Sequence, residues 1–187
     1  MSTAEVASIL ILLLTTGALL LRRPFFVRHI KPIFWSALAI MGLVLIYEAG
    51  LVYFSWHNGT GPSPFLLPPY TPINYFLFYT GVRIFLPYLL SLAFAGIAFL
   101  AVRYTNKRLG ERFFYPAEEY LLALPLFLCG HPFWLAYLVV CALAYTLYAS
   151  ATADRVSLYY LWLPLGLVVV ALTPIFSMLP WLRMLML

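Results

Sequence analysis

Between Ile33 and Phe54 the chain runs through apolar residues interrupted by a single charge, Glu48. At 1.5 Å per residue such a stretch crosses a hydrocarbon core of ~30 Å. Lipid offers no partner for backbone polar groups, so a continuous apolar run of this length has to form a helix that bonds to itself. Comparable runs recur, and together they place spans at about 6–21, 33–54, 86–102, 114–129, 133–149 and 157–179. The expectation is an all-α, polytopic transmembrane helical bundle in a single integral membrane domain covering residues 1–187. Composition leaves no soluble alternative: charged residues make up 9% of the chain and hydrophobic ones 65%, where charges alone are about a quarter of a soluble domain.

The charges that remain set an orientation. Arg22, Arg23, Arg28 and Lys31 follow the first run, and Arg103, Lys107, Arg108 and Arg112 follow the third. By the positive-inside rule the loops 22–32 and 103–112 are cytoplasmic and the N-terminus lies outside. These clusters account for the net charge of +5, so it does not point to nucleic acid. Residues 73–102 are too long for one straight span and contain Arg83 and Pro87. An arginine at mid-bilayer costs several kcal/mol. Tyr75 to Phe85 is therefore expected as one interfacial or re-entrant helix, with the third span at Leu86 to Val102.

Gly130-His131-Pro132 is either a tight turn between two short spans or a kink in one long one. The turn is preferred, with Trp134 as an interface anchor, and it gives six spans. Arg183 favours a cytoplasmic C-terminus and hence five. Pro164, Pro174 and Pro180 are expected to kink the last span.

Few residues carry a chemical signal. Glu118 and Glu119 are adjacent on a helix, where neighbours point about 100° apart, so one can face the interior and the other water. A carboxyl group in an apolar site has a raised pKa and can act as a general acid. The same pair also suits a first helical turn, where acidic residues complement the helix dipole. Glu48, inside an apolar run, is either paired or functional. Arg83 is its expected partner, and a proton relay is the sharper alternative. His57 and His131 both map to the outer side. They would be ordinary hydrogen-bonded histidines or, less simply, axial haem or metal ligands. Their spacing selects no metal or cofactor, and Cys129 and Cys141 have neither disulfide-framework nor zinc spacing. Ala93, Gly96 and Ala98, and later Ala142 and Ala144, look like helix-packing positions.

Pro116-Ala117-Glu118-Glu119-Tyr120-Leu121-Leu122 resembles the Pro-x-Glu-Glu motif that opens a helix in the small membrane lycopene cyclases. Arg22-Arg23-Pro24, Tyr47-Glu48 and Trp56-His57 follow a similar order to that family's first half. The resemblance implies acid catalysis of ring closure on a polyene, without a redox cofactor, through Glu118 or Glu119 with Glu48 assisting. The family's tryptophan–aspartate is Tyr47-Glu48 here, and Pro72-Ile73-Asn74 holds no carboxylate where a first acidic pair would stand.

Two functions follow. The first is a non-catalytic integral membrane subunit that packs against lipid and other membrane protein subunits. The second is a membrane enzyme acting on a polyisoprenoid or carotenoid. A transporter would need polar residues along a pathway, and spans one, three and six are nearly devoid of them.

Overall fold

The computed structural model describes residues 2–59, 62–108, 117–151, 159–183 and 185. They form a polytopic, all-α transmembrane bundle with no strand among them. Four helical segments are long and apolar enough to cross a membrane: Thr3–Leu21, Arg23–His57, Ile73–Arg108 and Phe133–Ser150.

Helix α1 (Thr3–Leu21) begins at a capping box. Ser2 Oγ accepts the Glu5 backbone N–H at 3.1 Å, and Glu5 Oε2 accepts that of Ser2 at 3.0 Å, satisfying two otherwise orphaned donors. Its buried residues, Ala4, Ser8, Leu12, Thr15 and Leu19, recur every three or four positions and form one narrow stripe. Nineteen residues reach about 28 Å, so the two ends of α1 lie near the two headgroup levels of a bilayer.

Helix α2 (Arg23–His57) starts after a single intervening residue, Arg22. The expected loop at 22–32 is thus helical. Pro24 lies in the first turn, where its missing N–H removes no bond and its fixed φ suits the helix. The 35 residues of α2 extend about 52 Å, well beyond a hydrocarbon core. The second basic segment behaves alike: helix continues through Arg108, and 109–112 lie outside the described residues.

The expected division of 73–102 takes a different form. Helix α3 (Ile73–Thr80) passes into one π turn, Gly81–Phe85, and then directly into α4 (Leu86–Arg108). The cause is Pro87. A proline in an α-helix cannot donate to the carbonyl four residues back, here Arg83, and its ring collides with that carbonyl. Widening the turn removes the conflict, and the Leu86 N–H bonds five residues back to Gly81. The boundary is a change of helix type rather than a break.

Helix α5 (Glu118–Cys129) is the centre of the bundle and packs against α1, α2, α4, α6 and α7. Every residue from Leu121 to Gly130 is buried. Twelve residues cover only about 18 Å, too short to span. The sequence suggests local bilayer thinning for this leg, but α5 is sheltered by its neighbours and its length is matched to them. Residues 114–116 of that expected span lie outside the described residues. Gly130 ends α5 with φ 69°, the left-handed C-terminal position that glycine favours. Ser91 Oγ on α4 donates to the Leu126 carbonyl at 2.8 Å, one of the four carbonyls left open at a helix end.

The turn at residues 130–132 leads into α6 (Phe133–Ala151). Trp134, expected as an interface anchor, is buried in the protein and stacked on Phe94 at 4.0 Å between ring centroids. The stretch expected as the last span resolves into α7 (Trp162–Ala171) and two short turns of helix, α8 (Thr173–Phe176) and α9 (Pro180–Arg183). Residues 157 and 158 lie outside the described set. Helix α7 crosses α5 where Gly166 meets Pro125. A Cβ at position 166 would lie 2.3 Å from the Pro125 Cβ, so only glycine permits this approach.

Candidate functional site

The acidic residues singled out in the sequence fall at opposite ends of α5. At its start, Ala117 adopts φ 76°, and the chain then turns Glu118 inward and leaves Glu119 half-buried. The pair divides between interior and surface as helical geometry dictates. Glu118 is 3% exposed, and its Oε1 accepts the indole N–H of Trp162 at 2.8 Å. Next to Trp162 in the chain, buried Tyr159 and exposed Tyr160 face Arg23, whose guanidinium lies 4.9 and 5.2 Å from the two ring centroids. Burial raises the Tyr159 phenol above its ordinary pKa, and the guanidinium opposes that. Tyr120 inserts between Phe34 of α2 and Phe99 of α4, with centroids 5.7 and 4.9 Å away. Carboxylate, indole, phenol and guanidinium thus tie the beginnings of α2, α5 and α7 together. We call this the basic end.

At the other end Glu48 reaches the first turn of α1. Its Oε1 accepts the Ala4 backbone N–H at 2.9 Å and the Thr3 hydroxyl. This places Glu48 level with the α1 N-terminus, near a headgroup level rather than at mid-bilayer. Glu48 and Arg83, expected as a pair, line the same cavity. It holds about 430 Å³, and Glu5, Tyr88 and His131 contribute to its wall. Glu118 and Glu119 do not. The length of α5, about 18 Å, separates them from it, so Glu48 is not positioned to assist either.

His57 and His131 go separate ways. His57 stacks on Tyr53, with centroids 6.2 Å apart and planes 4° from parallel. His131 Nδ1 accepts the Trp134 indole N–H at 3.3 Å, and its Nε2 lies 3.0 Å from the Leu185 carbonyl. A carbonyl only accepts, so Nε2 donates in that contact. The His131 backbone N–H donates to the Pro87 carbonyl at 3.0 Å, joining the turn to the residue that creates the π turn. Among the described residues no group of three or more histidine, cysteine or carboxylate side chains is placed to hold a metal ion. Cys129 and Cys141 are buried free thiols.

Sequence reasoning missed Trp162 and Tyr159 as partners of this chemistry, because no local pattern links them to a glutamate 44 residues earlier. It also missed Glu5. A signal existed there: oppositely directed neighbouring spans put the start of the first and the end of the second at one level. Searches of known protein families, characterised proteins and solved structures found no match to this chain.

Proposed function

We propose that this protein is a non-catalytic integral membrane subunit that packs within a larger membrane protein assembly, its N-terminus outside and its basic end at the cytoplasmic face. The reading is supported above all by the outward face of the Ile73–Arg108 segment. Only 11% of its most apolar window is buried by the rest of the chain. That face carries exposed Ala93 and Gly96, and a Cβ at Gly96 would meet nothing within 4 Å. Lipid tails do not call for small residues, whereas close helix–helix approach does. The carboxylates point the same way. Glu118 is engaged by an indole and Glu48 by a helix start, both of them ties between helices. The basic residues at the starts of α2 and the end of α4 supply the orientation by the positive-inside rule.

The test is purification of tagged protein in a gentle detergent, with mass spectrometry of co-purifying chains and an absorption spectrum of the same sample. Stoichiometric partner chains are expected, and Gly96→Leu should dissociate them while the protein itself remains folded. A lone chain carrying a polyene or haem spectrum would overturn the reading. It would return Glu118 and Glu119 to the role of acids on a polyisoprenoid or carotenoid, and their replacement by glutamine should then abolish turnover.

A further inference from the structure

The cations at the basic end are not spread evenly around it. Tyr120 of α5 is clasped by Phe34 of α2 and Phe99 of α4. From that clasp α2 leads to Glu48 and α4 leads back to Arg83, and both of these line one cavity. The two helices therefore run antiparallel. One to two turns beyond the clasp, towards the basic end, α2 carries Lys31 and Arg28, and α4 carries Arg103 and Lys107. At about 100° per residue, Lys31 and Arg28 lie about 60° and 120° round α2 from Phe34. Arg103 and Lys107 lie about 40° and 80° round α4 from Phe99. Seen from the basic end, the first rotation is clockwise and the second anticlockwise, because the helices run in opposite directions. Phe34 and Phe99 approach Tyr120 from its two flanks, so the opposite rotations carry all four cations to one side of it. All four are exposed, which puts that side on the outside of the bundle.

The face has the depth and the make-up of a lipid site. Lys31 is about 26 Å from Glu48 along α2, at the headgroup level opposite the one that Glu48 occupies. One turn inward on the same side, the cations give way to Trp35 and Leu100, 60% and 64% exposed. Cations above an exposed apolar strip match a phosphate above acyl chains, and a soluble anion has no use for the strip. Charge sets the sign of the headgroup. Among the described residues none of the four cations is paired with a carboxylate. Near the clasp Glu118 is turned inward onto Trp162, and Glu119 is half-buried. Four cations against one remaining carboxylate leave the face strongly positive. Basic clusters between neighbouring transmembrane helices are the places where anionic headgroups are held.

We infer that Arg28, Lys31, Arg103 and Lys107 form a site for the phosphodiester of an acidic phospholipid, whose acyl chains lie along Trp35 and Leu100. This goes beyond the orienting effect of basic residues, which depends on their number and not on the side of a helix they occupy. Arg108 supplies the contrast. It is also exposed, but it lies about 180° round α4 from Phe99, with its guanidinium over Tyr104. The site belongs to this chain alone and holds with or without partner subunits.

The test uses the purified chain in nanodiscs of phosphatidylcholine, alone or with an equal fraction of phosphatidylglycerol or phosphatidylethanolamine. Both faces of such discs are alike, so orientation does not enter. Lipid retained after transfer to detergent is counted by native mass spectrometry, and the unfolding temperature is read on the same samples. Phosphatidylglycerol should be retained and should raise the unfolding temperature, and phosphatidylethanolamine should do neither. Lys31→Gln and Arg103→Gln should each weaken the preference about fivefold, whereas Arg108→Gln should change it less than about twofold. Lys31→Arg combined with Arg103→Lys keeps the charges and should keep the preference. All these positions are exposed, so unfolding in phosphatidylcholine alone should be unchanged. Equal retention of the two added lipids would overturn the inference. A loss with Arg108→Gln as large as with the others would overturn it in favour of a diffuse surface charge. Equal stabilisation by soluble glycerol phosphate would overturn it in favour of a water-borne anion.

Discussion

The two ends of α5 each have a glutamate bonded across helices, Glu118 at one and Glu48 at the other, and they treat it in opposite ways. At the basic end Glu118 is enclosed, bonded to Trp162 and backed by the Tyr159–Arg23 contact. At the N-terminal end Glu48 uses one oxygen on the start of α1 and borders an open cavity with Arg83. The difference is geometric. Gly166 lets α7 close on α5 at Pro125, and the helices converge from there towards Glu118. At the far end residues of the π turn and of the 130–132 turn line an open cavity. A carboxylate in the first setting is enclosed, and in the second it borders open space.

The contrast can be broken most severely at its hinge. Gly166→Val should force α7 off α5 and cost about 3 kcal/mol or more, read as loss of folded protein in a detergent thermal melt. A normal melt would show that the close approach at Pro125 does not hold the closed half together. Glu118→Ala leaves a buried indole N–H without its acceptor and should cost about 1–3 kcal/mol. Glu118→Gln keeps an acceptor oxygen and should cost less than about 1 kcal/mol. Equal damage from both would mean that the charge, not the hydrogen bond, matters there. Glu48→Ala should cost about 1–2 kcal/mol through loss of the α1 start, with hydrogen exchange increasing in the first turn of α1 and unchanged around Trp162. Exchange that rises at both ends would dissolve the distinction. The smallest effect has the opposite sign: Ala117→Gly relieves a positive φ and should stabilise by about 0.5–1 kcal/mol.

Much of the bundle was legible because apolar length is read directly from residue order. The turn at Gly130-His131-Pro132 falls where Gly and Pro flank a polar residue, and α1 and α6 lie close to their expected bounds. The helical character of 22–32 was hidden because basic clusters after an apolar run mark the edge of the membrane and say nothing of where a helix ends. Arg83 and Pro87 signalled an irregularity correctly, and its form as a π turn depended on how the neighbouring turns could open. The stacking of Trp134 on Phe94 joins residues 40 apart, a contact that residue order does not encode. Of the site, a division of Glu118 and Glu119 between interior and surface followed from helical geometry, but which of the two turns inward did not. The Glu118–Trp162 bond and the cavity depend on contacts between distant segments, and periodicity does not encode them.

The burial of α5 has a consequence for how the chain is made. A helix too short to cross the bilayer, with a glutamate at its first position, has no stable place in lipid until its neighbours surround it. Helices α1, α2 and α4 are synthesised before α5, but the surface that receives Pro125 and the indole that binds Glu118 belong to α7. The centre of the molecule is therefore finished from its C-terminal third. A chain halted before Trp162 would leave Glu118 without its indole partner and α5 only partly covered.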